Sequence, residues 1–104
     1  MIINESNHSI NIKGEDALIV LGEIDFILIS LRNIARYYFN DSEGEGIDSH
    51  KLLSYYKETT KFIDNENVTF RLAEIRKIIT MRFNLSIGDD NMDDIERAMN
   101  KIKY

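Results

Sequence analysis

Residues 15–39 read EDALIVLGEIDFILISLRNIARYYF, and this stretch decides the class of fold. Val20, Ile24, Ile27, Leu31, Ile34 and Tyr38 recur at alternating steps of four and three, the heptad spacing of one buried helical seam. At 100° per residue, Leu21, Leu28 and Ala35 join them in one apolar arc, while Asp25, Arg32 and Arg36 mark the opposite side. Glu15 and Asp16 open the helix at its positive end. A second, weaker apolar strip, Ile19, Phe26, Ile29 and Tyr37, runs beside the arc. A surface helix of a small monomer does not need it. The strip implies either a central helix covered on two sides or an interface, with a homodimer as the simplest form of the latter.

Working outward, three further helices are predicted. The second runs over about 49–63, with Asp48 as N-cap, Leu52, Tyr55, Tyr56, Thr59, Phe62 and Ile63 as its buried face, and Lys57, Glu58 and Lys61 wet. In the third segment Val68, Phe70 and Leu72 alternate like a strand, yet Val68, Leu72, Ile75, Ile79 and Phe83 follow a helical period over a longer stretch. A helix over about 68–84 is therefore predicted. The fourth spans about 90–103, with Met92, Ile95, Met99 and Ile102 inward. Its acids lie early and Arg97, Lys101 and Lys103 late, a polarity that counters the helix dipole at both ends. Residues 1–13 carry two β-type runs around the turn-prone residues 5–8, the makings of an N-terminal β-hairpin. The expectation is an all-α single domain over 1–104: an extended segment, 1–13, and a bundle of about four helices, 14–104. At 104 residues one core is affordable without staples, and without cysteine there is no disulfide to supply one.

Composition narrows the function. Thirteen basic against eighteen acidic residues give a net charge of −5. Binding driven by a nucleic-acid backbone or an anionic membrane needs the opposite sign. The run from Ala17 to Leu31 is interrupted by Glu23 and Asp25, so it does not read as a membrane span. With no secretory signal evident, a cytoplasmic location is expected.

No nucleophile motif, phosphate loop or dinucleotide fingerprint is present. His8 and His50, the two histidines, have no ligand spacing. Asp41-x-Glu43-x-Glu45-Gly46 opens like a calcium loop, but its eighth position is Asp48 and its twelfth Leu52, where an apolar residue and a bidentate glutamate are required. A non-enzymatic chain with no metal and no cofactor is expected.

The acids Asp41, Glu43, Glu45 and Asp48, and the cluster Asp89, Asp90, Asp93, Asp94 and Glu96, are candidates for steering a protein partner with a basic surface. Ile19, Phe26, Ile29 and Tyr37 are the candidate apolar anchors. Arg71, Arg76 and Arg82 make the third helix basic and are candidates for holding a phosphate. They carry the alternative of a nucleotide or small-molecule binder, or of a dimeric regulatory, nucleic-acid-associated module.

Seventeen isoleucines and ten asparagines point to AT-rich coding, as in low-GC bacteria and their phages. In size and composition the chain resembles the small acidic orphan proteins of phages and other mobile elements, some of which inhibit host defence. That resemblance implies an inhibitor that binds and blocks a larger host protein.

Overall fold

The computed structural model describes residues 3–39 and 48–104. Four helices follow in order: α1 (Gly14–Phe39), α2 (Ser49–Asn65), α3 (Val68–Thr80) and α4 (Asp94–Met99). The all-α bundle expected from the periodicity is present, and residues 68–72 are helical. The N-terminal hairpin is not: among the described residues there is no strand, and Glu5–Asn7 form a single 3₁₀ turn capped by the Asn4 side chain.

Contacts along α1 show how α2 and α3 lie on it. Tyr38 and Phe39, at the C-terminal end of α1, meet Glu58 and Tyr55 of α2. Midway, the Phe26 ring lies 5.7 Å from Phe62. Further toward the N-terminus Glu23 pairs with Arg71 at 2.9 Å, and Asp16 with Arg82 at 2.6 Å. The partner's number rises as the α1 number falls. α2 and α3 therefore succeed one another antiparallel to α1, as one helix broken at Glu66 and Asn67. The break is local: Asn67 has φ 52°, a left-handed conformation that asparagine tolerates better than branched residues do.

This pairing defines the seam. On α1 it runs through Asp16, Val20, Glu23, Ile27, Ser30, Ile34 and Tyr38, all buried or half-buried. On α3 it runs through Val68, Arg71, Ile75, Ile78 and Arg82. The sequence pattern places Ile24 and Leu31 in the α1 seam, and Leu72 and Ile79 in that of α3. The structure rotates both helices so that Glu23 and Arg71 face each other, and Ile24, Leu72 and Ile79 turn outward. The cause is Arg71, which holds three partners at once. Its Nε donates to the Glu66 carbonyl at 2.7 Å, its Nη1 to both Glu23 oxygens, and its guanidinium carbon stands 4.6 Å from the centre of the Phe26 ring.

α3 ends four residues short of the predicted boundary. Arg82 N–H and Phe83 N–H bond to the carbonyls of Ile79 and Thr80 in tightening i→i+3 turns. Asn84 is then drawn off by Asn7. The Asn7 Oδ1 accepts from the Asn84 N–H at 2.7 Å, and its Nδ2 donates to the Asn84 carbonyl at 2.9 Å. α4 is likewise shorter than the predicted 90–103. Asp93 and Glu96 form a reciprocal capping box that starts the helix at Asp94, and residues 88–92 fold into a turn with Asn91 at φ 60°.

Only four apolar side chains are buried among the described residues: Val20, Ile27, Val68 and Ile75. The chain exposes 8435 Å² where a compact monomer of this mass exposes about 6,100 Å². Its radius of gyration is 19.0 Å against about 13 Å for a compact chain of this length. One seam between two layers of helix is too thin to enclose the apolar arc of α1.

Tyr38 reports on the upper end of the seam. Its hydroxyl donates to Glu58 at 2.5 Å, and that hydrogen bond, with burial and the carboxylate charge, pushes its pKa up to about 12. The tie is present below the ordinary tyrosine value near 10 and is lost as the pH rises through 12. An alkaline titration followed by tyrosinate absorbance is expected to show a late component near 12 that Tyr38→Phe abolishes. If the wild type and Tyr38→Phe differ only by one ordinary tyrosine, the tie does not form.

Candidate functional site

Two surfaces stand out. The first follows from the seam. In an antiparallel helix pair, the positions one step after the seam residues on both helices lie on the same side of the pair. On α1 these positions are Ala17, Leu21, Ile24, Leu28, Leu31 and Ala35. Leu21, Ile24 and Leu28 are 55%, 41% and 49% exposed. Across the seam the corresponding residues of α2 and α3 include Tyr56, Ile63, Leu72 and Ile79, all exposed. Arg76 is the only charged residue at these positions. The opposite side of the pair is mixed: Ile19, Phe26 and Ile29 of α1, with Phe70 and Met81, stand there among Lys51, Glu58, Lys61 and Glu74. One face of the molecule is thus apolar and the other amphipathic.

The apolar anchors picked from sequence therefore lie on the mixed face. Ile19, Ile29 and Tyr37 are exposed, and the Tyr37 ring meets Tyr38 edge-on at 4.9 Å. Phe26 is partly covered by Phe62 and Arg71. A second bare row, Leu21, Ile24 and Leu28, consists of residues that the sequence pattern assigns to the core arc. The signal that separates them is the polar residue inside the seam. Once Glu23 is known to face inward, every residue one step later must face out on the other side.

The second surface is a polar knot where the N-terminal segment, the chain after α3 and α4 meet. Asn7 is buried, and besides Asn84 its Nδ2 donates to Asp94 Oδ2 at 2.7 Å. The same oxygen accepts from the Asn4 N–H at 2.8 Å. Arg97 closes the knot, donating through Nη1 to Asp94 Oδ1 at 2.9 Å and through Nε and Nη2 to Asp90 at 2.7 and 2.8 Å. Nη2 also donates to the Met92 carbonyl. An added Cβ at Gly88 would lie 2.9 Å from Arg97 Nη2, so a larger residue there would push the guanidinium aside. Beside the knot lies an open cleft of about 630 Å³, bordered by Ile3, Ile87, Asp89 and Asp90. Asn7 and Asn84 carry no motif that sequence reasoning recognises.

The acidic candidates divide accordingly. Asp93 and Glu96 cap α4, Asp90 and Asp94 are bound by Arg97, and Asp89 is exposed. Asp48 caps α2, accepting from the Lys51 N–H at 2.8 Å. Asp41, Glu43 and Glu45 lie outside the described residues. Of the three basic candidates, Arg71 and Arg82 are engaged by Glu23, Glu66 and Asp16, and Arg76 is exposed. One nitrogen of Arg82, Nε, is buried with no partner. Among the described residues no three acidic or histidine side chains are grouped to hold a metal ion, and no helix is long and apolar enough to cross a membrane.

The knot sets an acid limit. Hydrogen bonds from Arg97 and the Met92 N–H lower the Asp90 pKa to about 2, and Asp94 is lowered by Asn7, the Asn4 N–H and Arg97. Both carboxylates are depressed, so their contribution is present above the ordinary value near 4 and fades as the pH falls through the folded-state values. In an acid titration the amide signals of Asn4 and Asn84 are expected to move together as the pH falls below the ordinary carboxylate value near 4. Amides that hold still over that range would show that Asp94 does not tie the segments. Asn7→Ala removes both the carbonyl and amide partners of Asn84 and is expected to cost about 1–3 kcal/mol in chemical denaturation. A loss below about 0.5 kcal/mol would make Asn7 an ordinary surface contact.

Set against family models, curated proteins and solved structures, the chain matches none.

Proposed function

We propose that this chain is a non-enzymatic protein-interaction module whose working surface is the apolar face one step beyond the seam. The observation that carries this reading is the row Leu21, Ile24 and Leu28, bare on a helix whose charged residues lie elsewhere. Exposed apolar surface of this extent costs solubility unless a protein covers it. The net charge of −5 then acts outside the face, steering the module toward a partner with a basic surface. Blocking of a larger host protein is one form such binding takes.

The nucleotide, small-molecule and nucleic-acid alternatives lose support from the same geometry. Arg71 and Arg82 are paired within the chain, with Glu23, Glu66 and Asp16.

A photo-crosslinking residue placed at Leu28, in cells making the protein, is expected to yield covalent adducts with protein, whether self or foreign. The same residue at Lys61, on the mixed face, is expected to yield far fewer. Equal yields from both positions, or none from Leu28, would overturn the assignment of the working face.

A further inference from the structure

Resting on the reading above, we infer that the occupant of the apolar face is a second copy of this chain, docked with the two α1 helices antiparallel. Three observations point to self-pairing rather than to a foreign ligand.

The first is the row itself. Ala17, Leu21, Ile24, Leu28, Leu31 and Ala35 are spaced symmetrically about residue 26, with small residues at both ends and large ones between. A two-fold axis through that point sets Ala17 against Ala35, Leu21 against Leu31 and Ile24 against Leu28 of the other copy. Each layer is matched in size, as an isologous interface requires. The alternation of four and three is the spacing that lets two helices interdigitate along a seam.

The second is area. The row is about 27 Å long, and two helices side by side make the face about 20 Å wide. Two apposed faces of that size remove about 1,100 Å² from water, past the roughly 1,000 Å² that a specific interface needs. The third is the thinness of the monomer. A hairpin of one long helix and one broken helix buries four apolar side chains among the described residues. Two such hairpins face to face make four helical layers around a shared centre, the arrangement in which a/d-type rows are enclosed. The face carries only Arg76, so the like charge of the two copies stays at the periphery. The second copy then completes the core, and the acidic exterior remains for a basic partner.

The absence of cysteine makes the test clean. Light scattering of the wild-type chain is expected to show twice the 12.2 kDa of one copy. Ala17→Cys mixed with Ala35→Cys under mild oxidation is expected to give the mixed disulfide in preference to either self-disulfide. Leu28→Asp is expected to weaken self-association by about 100-fold or more while helical circular dichroism remains. A 12.2 kDa particle at every concentration tested would overturn the inference. So would self-disulfides of each variant, which mean parallel helices. A monomer that still crosslinks foreign protein from Leu28 would overturn self-pairing alone. A monomer that crosslinks nothing from Leu28 would sink the interaction reading with it.

Discussion

The seam of α1 is charged as well as apolar, and the rest of the structure depends on that. Glu23 sits between Val20 and Ile27, where a purely apolar helix pair would place Ile24. A half-buried carboxylate is tolerable there only because Arg71 meets it, and Arg71 is held in turn by the Glu66 carbonyl and the Phe26 ring. Asp16 and Arg82 repeat the arrangement two turns away. These pairs are about one-third exposed, so their contribution to stability is modest. Their larger effect is on register. They fix which side of α1 faces α3, and so which apolar residues are left outside.

A rotation of one residue has a large consequence on a helix with apolar residues on most of its circumference. With Ile24 inward, the arc of α1 would close over its own core. With Glu23 inward, Leu21, Ile24 and Leu28 form a bare row, matched across the seam by Tyr56, Ile63, Leu72 and Ile79. The polar seam thus leaves on the surface apolar side chains that an apolar seam would bury.

The knot around Asn7 has a complementary role. The N-terminal segment and α4 have few apolar contacts with the long helices, so directional bonds hold them instead. Asn7 substitutes its carboxamide for a missing backbone neighbour and satisfies Asn84 as a strand would. Arg97 neutralises two acids that would otherwise repel each other at the start of α4. The acidic cluster, seen in the sequence as a surface feature, is largely internal wiring.

The sequence by itself determined the helical class, the start of each long helix and the Asp48 cap, because hydrophobic periodicity and capping are local properties. It also showed that α1 carries more apolar surface than one neighbour can cover. Which part stays bare was not legible. The arc of α1 is wide enough to seat the seam on Ile24 or on Glu23, and periodicity alone favours the apolar choice. The decision rests on Arg71, forty-eight positions away. The early ends of α3 and of the N-terminal extended run depend in the same way on Asn7 meeting Asn84, seventy-seven positions on. Pairings over such distances leave no mark in local pattern. Only the tertiary structure, in which each polar group must find its partner, decided them.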